Sequence, residues 1–403
     1  MLYGDAFSGH HGFRSNSARI YGDKASRLGI PVMKFEKGPL HSFVARIWCL
    51  RRLERLERKD ERMTGTILLT GGAGYIGSHT HVALVAAGYD VLILDNFSNA
   101  RTDVPDRLAR ITGAMPRVIR GSVLNRGLLD RIFAETKIDA VVHFAALKAV
   151  GDSMAHPLDY FATNIGGLTT LLQAMEVAGC RRLVFSSSAT VYGIPDETPT
   201  PETAPRRAIN PYGWTKIAGE ELLEQLTASD PAWAFGILRY FNPAGAHESG
   251  LIGEDPTDIP NNLMPYIAKV ATGALPKLRV FGDDYPTPDG TGVRDYIHVE
   301  DLAHGHVLSL QQLLQSGQGH LINLGTGRGY SVLEVIRAYG EACGRDLPHE
   351  VVAPRPGDVP IYCAEVVRAA DILGFRTRRD LADMCRSSWH WVSHPPKTGP
   401  ENI

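Results

Sequence analysis

From residue 66 onward, short apolar runs alternate with helix-length stretches of mixed polarity. Runs at 66–70, 91–95, 117–119, 140–145, 182–188 and 235–241 read as strands. Stretches at 75–88, 125–136, 157–179 and 211–229 read as the helices between them. Regular strand–helix alternation calls for parallel βαβ units, whose right-handed crossovers place helices on both faces of one sheet. The pattern therefore predicts an α/β fold built on a Rossmann-type doubly wound parallel sheet. In such sheets ligands bind outside the carboxyl ends of the strands, where the strand order reverses. After Asn242 the texture changes: Gly- and Pro-rich loops at 250–260 and 282–292 separate short elements. This predicts a smaller C-terminal α/β domain whose strands return to the main sheet near Leu321–Asn323.

The junction of the first strand and helix carries Thr70-Gly71-Gly72-Ala73-Gly74-Tyr75-Ile76-Gly77. Gly71, Gly74 and Gly77 give G-x-x-G-x-x-G, and Gly72, Gly74 and Gly77 also satisfy G-x-G-x-x-G. Glycine suits a tight turn with positive φ, a backbone that approaches a pyrophosphate, and a helix packed closely on its strand. The helix N-terminus then offers free N–H groups and a positive dipole end to phosphate. The second strand ends in Asp95, 18 residues past Gly77, near the offset of about 20 at which an acid meets the adenosine ribose. A carboxylate there accepts both ribose hydroxyls and repels a 2′-phosphate, which selects NAD over NADP. On this basis residues 63–241 are the NAD-binding domain and 242–393 the substrate domain.

Composition removes several function classes. Of 403 residues, 44% are hydrophobic and 21% charged, with a formal charge of −2. This lacks the basic excess of a nucleic-acid binder. No apolar run approaches the roughly 20 residues that span a bilayer. Five scattered cysteines (Cys49, Cys180, Cys343, Cys363, Cys385) form neither a zinc spacing nor a disulfide framework. That predicts no metal and a reducing cytoplasm. Residues 1–62 lack the pattern of the rest and read as a dispensable or disordered N-terminal extension. Glu54, Glu57, Asp60 and Glu61 argue against a transit peptide there. The expected enzyme start is Met63, and 394–403 reads as a flexible tail.

The fifth strand ends in Ser186-Ser187-Ser188, and Tyr212-Gly213-Trp214-Thr215-Lys216 follows at the head of a helix. Residues four apart share a helix face, so a phenol and an ammonium can enter one cleft. A free phenol has a pKa near 10 and is a poor base at pH 7. A nearby positive charge favours the phenolate and lowers that value. Ser188 at the strand tip can share the hydrogen bond to the same substrate hydroxyl. Tyr192 has no lysine four residues on and is expected to line the pocket.

These motifs resemble the extended short-chain dehydrogenase/reductase family, in particular its members that invert C4 of UDP-hexoses. His143-Phe144-Ala145-Ala146-Leu147-Lys148, Leu238-Arg239-Tyr240-Phe241-Asn242-Pro243, Pro260-Asn261-Asn262-Leu263 and Val293-Arg294-Asp295-Tyr296-Ile297-His298 extend the likeness from about Thr66 to His394. The resemblance implies an NAD-dependent isomerase, a homodimer, interconverting UDP-glucose and UDP-galactose. In that chemistry Tyr212 deprotonates the sugar 4-hydroxyl, Ser188 assists, and Lys216 holds the nicotinamide ribose and depresses the Tyr212 pKa. C4 gives its hydride to resident NAD, and the 4-keto sugar turns and takes it back on the other face. Carried over to this numbering, the cofactor would meet Tyr75, Ile76, Asn96, Asn99 and Val123. Phe144, Ala145, Lys148, Asn164 and Phe241 complete that set.

For the substrate the resemblance implies diphosphate-binding Arg294 and Arg355, with Phe281 on uracil and Asp358 near its ribose. Lys148, Asn242, Asn262, Leu263 and Arg279 would line the remaining path. Two departures stand out. Gly121-Ser122 replaces the family's Gly-Asp at the adenine, so Ser122 is expected to make a weaker contact. Tyr362 falls at the size gate beside the sugar C2 substituent, which predicts exclusion of N-acetylated sugars. Three other readings stay open. A 4,6-dehydratase lacks its Asp-Glu pair here, because Ala189-Thr190 follow Ser188. An epimerase or decarboxylase of UDP-sugar acids would act on UDP-glucuronate. A catalytically dead NAD-binding sensor would have bound NAD and no turnover.

Overall fold

The computed structural model describes residues 65–395 apart from 257–259, 261 and 356–357. The expectations for 1–62, for Met63 and for residues 396–403 of the tail lie outside the described residues. Strands β1 (Thr66–Thr70), β2 (Asp90–Asp95), β3 (Arg117–Arg120), β4 (Ala140–His143), β5 (Arg182–Ser188) and β6 (Ala234–Tyr240) fall on the six predicted runs. Between them lie α1 (Tyr75–Ala86), α2 (Val104–Thr112), α3 (Arg126–Glu135), α4 (Val150–Ala155), α5 (Pro157–Tyr160), α6 (Gly167–Val177) and α7 (Pro211–Ser229). The pattern did not predict α2 or α4. It also predicted one uniform helix over 157–179, whereas a π-helical stretch, Phe161–Gly166, joins α5 to α6.

The six strands belong to a seven-stranded sheet in the order β3-β2-β1-β4-β5-β6-β10, where β10 is His320–Leu324. Every neighbouring pair is parallel, and the order reverses between β1 and β4. The return near Leu321 is thus observed, with Ile322 opposite Leu238. Alternate residues of β1 explain why both faces are covered. Ile67 and Leu69 pack with Leu84 of α1 and with Leu302 and Leu310. Leu68 packs with Leu129 of α3, Leu171 of α6 and Leu223 of α7.

Beyond Tyr240 come β7 (Asn242–Ala244), α8 (Leu263–Ala271), β8 (Leu278–Phe281), β9 (Val293–His298), α9 (Val299–Ser316), β11 (Gly329–Ser331), α10 (Val332–Cys343), β12 (His349–Val352), β13 (Ile361–Tyr362), α11 (Val367–Leu373) and α12 (Leu381–Ser393). β7, β11 and β13 all pair with β9, and β8 pairs with β12. The strands are short, as expected, but α9, α10 and α12 run to 18, 12 and 13 residues. α9 is capped by the His298 side chain at its start and by left-handed Gly317 at its end. Ser331 with Glu334 and Asp380 with Asp383 form capping boxes on α10 and α12. Those cap pairs were legible signals that the Gly- and Pro-rich loops obscured.

Candidate functional site

The β1–α1 turn shows that its glycines serve three different purposes. Among them only Gly71 has positive φ, +70°, and a Cβ there would sit 2.7 Å from Ala145 N. Gly77 has none of that strain; its Cβ would lie 2.2 Å from the Gly71 carbonyl oxygen, so it is needed for helix-on-turn packing. Gly74 is the N-cap of α1 with no side-chain cap, which leaves the first-turn N–H groups, from Tyr75 and Ile76 onward, pointing at the strand ends. The positive φ expected of this turn is found at Gly71. Asp95 is buried at the end of β2 and binds this turn from beneath: its oxygens accept from Ala73 N (2.9 Å) and Phe97 N (2.8 Å). Two carboxylate oxygens still have lone pairs to spare for a ligand's hydroxyls. The cradle thus fits a dinucleotide on its own geometry.

Neighbouring strand ends bring other predicted residues beside it. Asn96, whose Oδ1 accepts from Ser98 N at 3.0 Å, and Asn99 are exposed just past β2. Ser122 and Val123 lie after β3; Val123 is buried, and Ser122 Oγ accepts from Leu124 N at 3.2 Å. Phe144 and Ala145 follow β4 directly across from Gly71, on the far side of the switch point. Two of these residues also have partners within the chain. Tyr75 donates its hydroxyl to Gly245 O at 2.7 Å. Asn164, on the π-helical stretch, accepts from Leu147 N (2.8 Å) and donates to Leu147 O (3.0 Å) and Thr215 Oγ1 (3.0 Å). Its amide fixes the loop after β4 to α7.

The chemistry-bearing trio converges where β5 meets α7. Ser188 Oγ accepts from Thr190 N at 3.2 Å and from Thr190 Oγ1 at 3.0 Å, and it lies near enough to the Tyr212 phenol to bear on its pKa. Lys216 Nζ lies 5.6 Å from the Tyr212 ring centre and donates to Ser186 O at 2.6 Å. Burial pushes the Tyr212 phenol up to about 12, opposed by the Ser188 hydrogen bond. Burial also lowers the Lys216 ammonium to about 8, opposed by Glu220. A depressed Tyr212 pKa was expected from Lys216. In these surroundings desolvation is the larger effect, and the phenol stays protonated. Tyr192 does not line the pocket: it is fully buried, with its hydroxyl on Asn323 Oδ1 (2.6 Å) and Arg239 (3.0 Å).

A second wall gathers the remaining residues. β13 runs beside β9 with Tyr362 in register with Arg294. Arg294 pairs with Asp358 at 2.5 Å and donates to Val359 O at 2.7 Å. The Arg355 guanidinium lies 3.8 Å from the Phe281 ring centre and that of Arg279 lies 5.4 Å from it. Asp358 N bonds to Arg355 O, so the two arginines belong to one loop system. Tyr362 packs against Phe241, ring centres 5.3 Å apart and tilted by 45°, and donates its hydroxyl to Ala189 O, next to Ser188. Asn242 begins β7 and Leu263 begins α8. Lys148 and Asn262 both reach Glu254 Oε1, at 3.3 and 3.2 Å. Glu254 escaped sequence reasoning because nothing in its spacing ties it to either partner.

A doubly wound sheet with a glycine cradle at its switch point and a Ser–Tyr–Lys trio two strands away defines a dinucleotide-dependent enzyme of the epimerase and dehydratase type. The chain belongs to the NAD dependent epimerase/dehydratase family, whose sequence model matches residues 67–325. It is 51% identical over 327 residues to the UDP-glucose 4-epimerase of Bacillus subtilis, covering 81% of this chain and 96% of that one. The UDP-glucose-4-epimerase of Stenotrophomonas maltophila, crystallised with bound NAD and formylated UDP-arabinopyranose, superposes with a TM-score of 0.81 at 50% identity, over 82% of this chain and 98% of that one. The Bifidobacterium longum UDP-glucose 4-epimerase in complex with NAD+ and UDP gives 0.79 at 47% identity, over 82% and 99%.

Proposed function

We propose that this chain is an NAD-dependent UDP-glucose 4-epimerase that interconverts UDP-glucose and UDP-galactose. The convergence of Ser188, Tyr212 and Lys216 at the end of β5 is the observation that carries the reading. Gly71, Gly74, Gly77 and Asp95 would hold the adenosine and diphosphate of NAD, with Asn96, Asn99, Ser122 and Val123 at the adenine end. Phe144, Ala145, Lys148 and Phe241 would flank the nicotinamide end. When bound, NAD supplies the hydride acceptor and donor at C4. Tyr212, as phenolate, would take the proton from the sugar 4-hydroxyl with Ser188 assisting, and later return it. The Lys216 charge, together with the positive nicotinamide ring of bound NAD, would favour the phenolate against its burial.

Arg294 and Arg355 would grip the diphosphate as guanidinium–phosphate pairs, leaving the sugar free to turn. Phe281 would pack on uracil, with Asp358 at its ribose and Arg279, Asn242, Asn262 and Leu263 along the path. Tyr362 stands as the size gate. In this reading 63–241 binds NAD and 242–393 binds the UDP-sugar. The enzyme works as a homodimer in the cytoplasm. The exposed Met154, Leu158 and Phe161 on the helical segment 150–177 support a second copy there, and no described helix is long and apolar enough to cross a membrane. Purified protein incubated with UDP-galactose should form UDP-glucose without added cofactor. Failure to convert, with Tyr212→Phe indistinguishable from the unaltered protein, overturns the assignment.

A further inference from the structure

We propose that Glu220 is a positioning residue of this site, clamping α7 to β5 so that Lys216 and Tyr212 keep their places against Ser186 and Ser188. The inference rests on the epimerase reading and extends it. Tyr212, Lys216 and Glu220 recur every four residues and share one face of α7. Three successive residues of β5 each engage one of them. Ser186 O accepts from Lys216, Ser187 Oγ donates to Glu220 Oε1 at 2.5 Å, and Ser188 Oγ lies near enough to the Tyr212 phenol to lower its pKa against burial. Glu220 is thus the middle one of three ties between helix and strand, and it is wholly buried.

Its carboxylate is itself fixed from two other elements. Arg239 of β6, 2% exposed, grips it with two parallel bonds, Nε to Oε1 at 2.9 Å and Nη2 to Oε2 at 2.5 Å. Arg206 Nη1 approaches Oε2 at 3.3 Å. Arg239 is held in turn by the Tyr192 hydroxyl and by Glu202 O, each at 3.0 Å. A bidentate guanidinium pair sets direction as well as distance, so the clamp cannot slide along the helix. Glu220 is also the carboxylate whose charge favours the Lys216 ammonium against burial. Facing Lys216 are Tyr212 and Glu220 on its own helix and His143 of β4, which burial and then the lysine's charge hold neutral. Ser186 O and the Phe185 ring, 5.1 Å away, face it from β5. Glu220 is the single negative charge of that set.

The test uses the full chain with its NAD in place. Glu220→Gln keeps the shape and removes the charge. Without that charge the alkaline fall of kcat moves down by about one pH unit, roughly a tenfold loss at fixed alkaline pH, while KM for UDP-galactose holds. Ser187→Ala cuts the tie and leaves the charge, so kcat drops with the alkaline limb in place. Where Glu220→Gln fails to fold, the double variant E220Q/R239M removes both buried charges together and is measured instead. Nitrogen NMR of labelled lysine, assigned with Lys216→Arg, follows the ammonium titration without turnover, so an inactive parent enzyme overturns the epimerase reading and not this one. An unshifted Lys216 titration in a folded charge-neutral variant, together with wild-type kcat in Ser187→Ala, overturns the proposal.

Discussion

Gly77→Ala isolates what the β1–α1 turn does. An added methyl would lie 2.2 Å from Gly71 O and 2.8 Å from Gly72 Cα, both backbone atoms. Gly71 cannot give way easily, because its N–H is bonded to Leu94 O at 2.8 Å and its carbonyl accepts from Gly74 N at 3.2 Å. α1 must therefore shift off the turn, and overpacking of this kind costs about 1–3 kcal/mol. If the whole strain falls on the cofactor cradle, NAD affinity drops about 5- to 150-fold. Gly151→Ala is the control. It is a glycine of α4 with nothing within 4 Å of the added methyl, so it should stabilise the helix by about 0.5–1 kcal/mol. The assay is NAD retained after gel filtration, with the thermal midpoint of each variant. Gly77→Ala protein that keeps its full NAD complement and melts like the parent would show that contact with the turn does not shape the cradle.

Burial lowers His79, His143 and His298 to about 3 and His81, His306 and His320 to about 4. The unfolded chain, near 6.5, takes up protons that the native form refuses, so this stability is present above pH 6.5 and lost as pH falls. Each such histidine costs about 1.4 kcal/mol at pH 5.5; urea midpoints equal at pH 7.5 and 5.5 would contradict the six burials. Arg355→Ala removes a guanidinium 3.8 Å from the Phe281 ring centre and should raise KM for UDP-galactose about 10- to 100-fold with little change in kcat. An unchanged KM would remove Arg355 from the substrate wall. Tyr362→Ser should raise activity on UDP-N-acetylgalactosamine relative to UDP-galactose at least about tenfold, and an unaltered ratio would dismiss the gate.

The main sheet was legible because strands buried on both faces leave uninterrupted apolar runs, as Ile67–Leu69 and Val91–Leu94 do. The shared helix face of Tyr212 and Lys216 was legible because a fixed four-residue spacing survives in sequence. Less readable were features that depend on where distant segments meet. That the Asn164 amide joins the loop at Leu147 to Thr215 of α7 has no signal in the spacing of these three residues. Tyr192 follows the serine strand so closely that it suggests a pocket wall, yet Arg239 and Asn323, far along the chain, draw it inward. The pKa of Tyr212 could not be read from the neighbouring lysine alone, since burial is a property of the folded site.

The bond from Tyr362 to Ala189 has a geometric consequence for the sugar. It fastens Tyr362, the proposed gate, to the residue beside Ser188, so in the proposed site the two would stand in one frame. In the proposed reaction the hexose must present each of its faces in turn within that frame. Admission would then depend on the volume a ring sweeps while turning, and a substituent that fits in either resting pose could still be refused in passage between them.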